Sequence, residues 1–252
     1  MKSLLTIIFL IVDALLIAFG IYGTGKVLQL YRRSVYSETE PILSYVVHPK
    51  KQKLQLFWKD EDGQILGNFD NLIQHVESKN ETLIFATNGG MYDKSMAPQG
   101  LYIENHKTLK PIDLRKGKGN FYYQPNGVFY LTDTQTPGIC SSKEFKNTGN
   151  IQFATQSGPM LVINGKIHPS KAFRPKSNSL NIRNGVGILP DNSVLFAMST
   201  RPINFYDFAM YFKAKGCKNA LYLDGAISKT YLPQKHYTKT AGYFGVMIGV
   251  TQ

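Results

Sequence analysis

Asn219-Ala220-Leu221-Tyr222-Leu223-Asp224-Gly225-Ala226-Ile227-Ser228 runs from apolar, strand-forming residues into an acidic residue, a glycine and a small residue. The run predicts a carboxylate, Asp224, at the mouth of a buried strand with a tight turn behind it. A strand gives Asp224 a rigid support, Gly225 permits backbone conformations closed to other residues, and Ser228 can return a hydroxyl to the same spot. The same residues also describe an ordinary Asp-Gly turn, so their meaning depends on what the rest of the chain places beside them.

Immediately upstream lies the one strongly helical segment of the body. Asn204 can cap it with Asp207 at the third position, Phe205, Phe208, Ala209 and Phe212 share one face, and Gly216 ends it. That aromatic stripe is core packing, and the helix delivers the chain into the Asp224 strand. Residues 193–198 read as a strand, and Arg183 stands just before a glycine-bearing strand, Asn184-Gly185-Val186-Gly187-Ile188. A planar guanidinium on rigid β support suits bidentate contact with phosphate or carboxylate, although a surface arginine at a strand edge fits the same residues.

Two further strands end in small residues. Residues 151–156 alternate cleanly into Ser157-Gly158-Pro159, followed by a strand over 160–163 and the turn Asn164-Gly165. Ser157 lacks the Gly-x-Ser-x-Gly context of a hydrolase nucleophile. Residues 82–87 run straight into Asn88-Gly89-Gly90-Met91-Tyr92, where exposed backbone amides and left-handed glycines predict a concave nest for an anion. The alternative for those glycines is a plain hairpin turn.

Elsewhere, residues 42–48 and 53–58 read as an antiparallel pair joined by Pro49-Lys50-Lys51, and a short helix is expected over 70–78. β-like runs follow at 100–104, 120–123 and 127–132, and residues 243–250 form an apolar strand expected at the centre of a sheet. The fold class these elements imply is α+β: one domain over 42–252, dominated by mixed β-sheet with a few helices, behind a hydrophobic N-terminal helix.

The chain has 252 residues, 43% of them hydrophobic and 18% charged, a composition that excludes disorder. A formal charge of +12 favours anionic partners. Its lysines and arginines fall in small scattered groups with no zinc-finger or RNA-binding signature, so nucleic acid is not the expected partner. No two of the five histidines stand at metal-ligand spacing, and neither a metal nor another cofactor is expected. Cys140 and Cys217 are compatible with one disulfide or with two buried thiols.

Between Leu4 and Tyr22 the only charged side chain is Asp13, and the run is close to the ~20 residues that cross a bilayer. Lys2 precedes it and Ala18-Phe19-Gly20 offers a small-x-small cleavage pattern, so residues 1–22 read as a signal peptide or membrane anchor and 23–41 as a linker. Lys26, Arg32 and Arg33 after the run would draw the body of an uncleaved anchor toward the cytoplasm. Export, to the periplasm or another extracytoplasmic space, is the expectation.

Taken in order, Asn88-Gly89-Gly90-Met91-Tyr92, Gln156-Ser157-Gly158-Pro159-Met160, Arg183 ahead of Val186-Gly187-Ile188, and Leu221-Tyr222-Leu223-Asp224-Gly225 resemble the phosphodiester glycosidase family from roughly Ala86 to the C-terminus. The family commonly reads Asp-Gly-Gly-Gly-Ser at the last motif, whereas this chain carries Ala226 and Ile227, and Asn184 stands where many relatives have threonine, a departure read as minor.

The resemblance implies hydrolysis of a glycosyl-1-phosphodiester in the cell envelope. A departing phosphomonoester has a conjugate-acid pKa of about 6, so one carboxylate and one fixed cation can suffice where most glycosidases need two carboxyl groups. On that basis Asp224 is expected as base or nucleophile and Arg183 at the phosphate. The Gly89 and Gly90 amides are expected at the anion or a sugar hydroxyl, Asn88 and Ser228 orient sugar or water, and Tyr92, Ser157 and Gly158 line the substrate site. Asp93 and Glu104 are reserve carboxylates. The rival expectation is a non-catalytic protein that binds an anionic envelope glycan in the same cleft. Convergence of Asn88, Ser157, Arg183 and Asp224 in one pocket would favour catalysis.

Overall fold

The computed structural model describes residues 41–224 and 227–252. The leader, the linker up to residue 40, and Gly225 and Ala226 lie outside the described residues. Three antiparallel sheets make up the body. The first holds β1 (Ile42–Val47), β12 (Val194–Ser199), β11 (Asn184–Ile188), β13 (Ala220–Tyr222), β9 (Met160–Ile163) and β10 (Lys166–Ile167), side by side in that order. The second runs β14 (Thr230–Tyr231), β3 (Leu83–Asn88), β15 (Met247–Thr251), β2 (Lys53–Phe57). The third runs β5 (Lys107–Lys110), β4 (Tyr102–Glu104), β8 (Ile151–Ser157), β6 (Gly127–Thr132), β7 (Pro137–Ser141). Helices α1 (Phe69–Glu77) and α2 (Phe205–Ala214) complete the described elements with two short 3-10 turns.

Residues 40–252 form one unit, and its strands pair antiparallel throughout rather than in the mixed sheet expected. In the first sheet the reason lies in the α2 connection. It joins β12 to β13, which flank β11 on either side, so the two strands that run in the same direction are never neighbours. A second correction concerns β1 and β2. They do not pair with each other: β1 pairs with β12 from Ile42↔Ser199 to Val47↔Val194, and β2 pairs with β15 in a different sheet. Alternation reports which face of a strand is buried and carries no information about its partner. A third is the run at 120–123, where Asn120–Tyr122 is a 3-10 turn whose Phe121 carbonyl accepts from Asn126 Nδ2 at 2.9 Å. As expected, β15 lies inside its sheet, between β3 and β2.

The first sheet is buried on both faces, and period-two alternation divides its side chains between two cores. From β12, Val194, Phe196 and Met198 enter the core shared with Phe85, Phe129 and Ile248, while Leu195 and Ala197 face α2. β13 does the same, with Leu221 on one side and Ala220 and Tyr222 on the other. Helix α2 buries Phe205, Phe208, Ala209 and Phe212 against this second face, each phenylalanine worth roughly 1.5–3 kcal/mol of burial. Its start is set by Asn204, whose Oδ1 accepts from the Asp207 amide at 2.8 Å while its Nδ2 donates to Asp207 Oδ2 at 2.8 Å. Its end is set by Gly216 at φ +85°, a conformation glycine adopts without strain. Clamped at both ends, the helix fixes where β13 emerges and hence where Asp224 sits.

Among the described residues no helix is long and apolar enough to cross a membrane. Cys140 and Cys217 are both free, and burial pushes each thiol up to about 11.

Candidate active site

β11 and β13 run antiparallel, which places the start of one beside the end of the other: the Leu223 amide donates to the Asn184 carbonyl at 3.2 Å. The ends of β3 from the second sheet and β8 from the third arrive at the same point. One residue joins them. Asn184, 1% exposed, donates from Nδ2 to the Asn88 carbonyl (2.8 Å), Asn88 Oδ1 (3.0 Å) and Thr87 Oγ1 (3.1 Å). Its Oδ1 accepts from the Asp224 amide (3.0 Å) and faces Ser228 Oγ (3.4 Å). The departure read as minor in the sequence is thus the hub of the site. Its sequence context marked it only as the first residue of a glycine-bearing strand, and a strand position does not record which distant groups its side chain meets.

Asn88 is equally buried, at 1% exposure, and its Oδ1 also accepts from the Lys229 amide at 2.8 Å. Both neighbours of that oxygen are donors, which fixes the amide's orientation. Its Nδ2 therefore points the other way, and among the described residues it has no hydrogen-bond partner. Leaving a buried donor unpaired costs about 1–3 kcal/mol, a cost that a ligand oxygen or water bound at this point would relieve.

Ser157 and Ser228 both serve the Asp224 turn. Ser157 Oγ donates to the Leu223 carbonyl, and the Pro159 carbonyl accepts from the Tyr222 amide at 3.0 Å, so the Ser157-Gly158-Pro159 segment braces β13 from behind. Gly158 is required there because a Cβ would lie 2.5 Å from Asn126 Cβ. Ser228 Oγ lies 2.9 Å from the Asp224 carbonyl and 3.1 Å from that of Ile182. With one proton to give, it closes the turn.

Gly89 and Gly90 do not form the nest expected of them. Neither has a positive φ, and the Gly89 amide donates to the Val246 carbonyl at 2.7 Å. Close packing is what excludes side chains: a Cβ on Gly89 would lie 2.8 Å from Val246 Cγ1, and one on Gly90 would lie 2.2 Å from Thr155 Oγ1 and 2.8 Å from the Gln156 carbonyl. Gly90→Ala is accordingly expected to destabilise the fold by about 2–3 kcal/mol, read as a lower urea midpoint at unchanged m value.

Arg183 is buried to 1% exposure beneath this cluster. Its Nε donates to the Ile203 carbonyl (2.8 Å), Nη2 to that of Ser179 (2.9 Å) and Nη1 to Tyr222 Oη (3.3 Å), and the guanidinium stacks 3.7 Å above the Phe205 ring. Among the described residues no carboxylate forms an ion pair with it, and burial pulls its pKa down. The structure does not put Arg183 and Asp224 in direct contact. Tyr222, bonded to Arg183, is near enough to feel both: burial first, and the Asp224 charge in addition, push its phenol up to about 12, opposed by Arg183. Tyr92 also senses Asp224, its phenol raised mainly by burial and further by that carboxylate, while its Oη donates to the Tyr243 carbonyl at 2.8 Å.

The reserve carboxylates are engaged elsewhere. Asp93 Oδ1 accepts from the Ser95 amide and hydroxyl (2.8 and 2.5 Å), and Glu104 accepts from Tyr102 Oη (2.6 Å) on the wall of a separate cavity with His75 and Lys79. Among the described residues no group of three or more His, Cys, Asp and Glu side chains could hold a metal ion.

Escherichia coli (strain K12) YigE, itself uncharacterized, is 42% identical over 195 residues, covering 77% of this chain and 75% of that protein. Among solved structures, the zebrafish N-acetylglucosamine-1-phosphodiester alpha-N-acetylglucosaminidase catalytic domain, auto-inhibited by its pro-peptide, shares the fold with a TM-score of 0.56 at 14% identity, covering 84% of both chains. A hypothetical protein from Synechocystis matches with a TM-score of 0.50 at 12% identity, over 83% of this chain and 59% of that one. The phosphodiester glycosidase family model matches residues 81–250, and the chain belongs to that family.

Proposed function

We propose that the chain hydrolyses a glycosyl-1-phosphodiester outside the cytoplasm, carried there by its apolar N-terminal segment. The observation that carries this reading is the convergence of Asp224, the unpartnered Asn88 Nδ2 and the Asn184 hub at one meeting point of three sheets. In the reaction, the oxygen of water bonds to the anomeric carbon, and the bond from that carbon to the phosphodiester oxygen breaks with its electron pair passing to the phosphate. Asp224 acts at the anomeric carbon, as the base that takes the water proton or as the nucleophile that water later displaces. The anomeric configuration of the first-formed sugar distinguishes the two.

Arg183 supplies positive charge that forms no ion pair with a carboxylate among the described residues, in a buried setting where such charge acts strongly on a developing phosphate. Asn88 Nδ2 is suited to a sugar hydroxyl or the attacking water. The absence of a second carboxylate from the described cluster fits a substrate whose leaving group needs no proton, since a phosphomonoester leaves as an anion.

The test is product analysis with the purified full-length chain on nitrophenyl phosphodiesters of a panel of sugars. Free sugar and nitrophenyl phosphate are expected, with solvent oxygen-18 entering the sugar. Release of nitrophenol with a sugar-1-phosphate would move the cleavage to the phosphorus–oxygen bond and defeat the proposal. Saturable, salt-sensitive binding without turnover would also defeat it, in favour of a glycan-binding protein.

A further inference from the structure

Beside the Asp224 site opens a cleft of about 730 Å3, walled by the loop that follows Tyr92 and by the segment from Lys110 to Arg115. Tyr92 belongs to both: it lines the cleft and stands four residues after Asn88, which bonds the Asn184 hub, and the Asp224 charge helps raise its phenol. The walls are tied to the sheet by Gln156, fully buried in β8. Its Oε1 accepts from the Leu101 and Asp113 amides, both at 2.9 Å, and its Nε2 donates to the Asp113 carbonyl at 2.7 Å. The cleft is therefore preformed, which lowers the ordering cost of any occupant.

Its charges are unevenly used. Asp113 is taken up by Arg115, through Nε at 3.0 Å and Nη2 at 2.8 Å, and by Tyr122 Oη at 3.1 Å, which hold its carboxyl down at about 2. Asp93 is bonded within its own loop. Lys94 and Lys110 also line the cleft, and neither ammonium has a hydrogen bond or ion pair among the described residues, although the Lys110 charge lies near enough to Asp93 to help hold that carboxyl down. Two tyrosines, Tyr92 and Tyr122, add flat apolar surface with a polar edge.

We propose that this cleft binds the aglycone of an anionic glycan, so that the substrate is an extended chain whose negatively charged sugar units continue from the phosphodiester cleaved at Asp224. The inference rests on the hydrolytic reading of that site. Lys94 and Lys110 meet the negative groups, and the tyrosine faces receive the sugar rings.

Calorimetric titration of the full-length chain with dextran sulfate, an anionic glycan, and with neutral dextran tests it. Binding of dextran sulfate alone is expected, and it should raise the KM of the short nitrophenyl substrate competitively. Lys94→Gln/Lys110→Gln should weaken dextran sulfate about tenfold at low salt, and Lys94→Arg/Lys110→Arg should restore it. The control is Lys50→Gln/Lys51→Gln, which removes the same charge from the wall of a different cavity. Equal weakening by the control would reduce the effect to net charge and overturn the proposal. Undiminished binding in the Lys94/Lys110 glutamine variant, equal affinity for neutral dextran, or tighter binding of single-stranded poly(dT) would also overturn it. If these fail while the nitrophenyl substrate is hydrolysed, the cleft assignment alone is wrong. If binding behaves as expected and hydrolysis is absent, the aglycone assignment falls with the hydrolytic reading.

Discussion

Asp224→Asn is expected to lower kcat on a nitrophenyl phosphodiester sugar by about 10³-fold, the scale of losing a positioned base or nucleophile. The substitution is nearly isosteric, and two contacts that place the residue are made by its backbone and survive it: its amide to Asn184 Oδ1 and its carbonyl to Ser228 Oγ. Thermal unfolding should consequently shift by only a few degrees, roughly the effect of a 1 kcal/mol change or less. An independent signature comes from the neighbouring phenols. Burial raises Tyr92 and Tyr222, and the Asp224 charge raises both further. Removing a negative charge favours the phenolate, so both should titrate at lower pH in the variant, followed by ultraviolet difference absorbance. Activity within tenfold of the parent, with the phenols unmoved, would take Asp224 out of the site.

Asn184→Ala is expected to be the most damaging substitution for both stability and turnover outside Asp224. It strips the acceptor from the Asp224 amide and the donor from Asn88 Oδ1 and the Asn88 carbonyl, all inside a buried network. The cost should be about 2–4 kcal/mol, since each group left unpaired keeps its desolvation penalty. Asn184 is a positioning residue, so its loss should fall on kcat, by about 10²-fold, more than on KM. Asn184→Thr, which resembles the residue many relatives carry, retains one donor and one acceptor and should recover a large part of both losses. A stability loss with kcat per folded molecule unchanged would show that the hub is structural only.

Much of the site was legible in local pattern. A run of apolar residues broken by Asp-Gly predicts a strand-end carboxylate, and Asp224 follows β13 at the edge of the buried body, 7% exposed. The cap, stripe and stop of α2 were legible for the same reason, being short-range consequences of hydrogen-bond geometry and helical period. Roles that depend on distant neighbours were not. Gly89-Gly90 reads as a nest until Val246 and Thr155 are seen to press against it from segments far along the chain. Arg183 reads as a surface fork until Phe205 and Tyr222 enclose it.

The sequence by itself determined the strand-end carboxylate, the capped aromatic helix ahead of it, the ordered motifs from Asn88 to Asp224 and an excess of positive charge. Each is a local or additive property of the chain. Tertiary structure alone decided that β1 and β2 join different sheets, that α2 steps over β11 so that β12 and β13 never pair, and that Asn184 holds Asn88 to Asp224. Those depend on contacts between residues far apart in the chain, such as Thr87 with Lys229, 142 positions away. Such contacts are set by which buried faces fit one another once chain entropy has been overcome, and hydropathy patterning records that a face is buried without recording its partner.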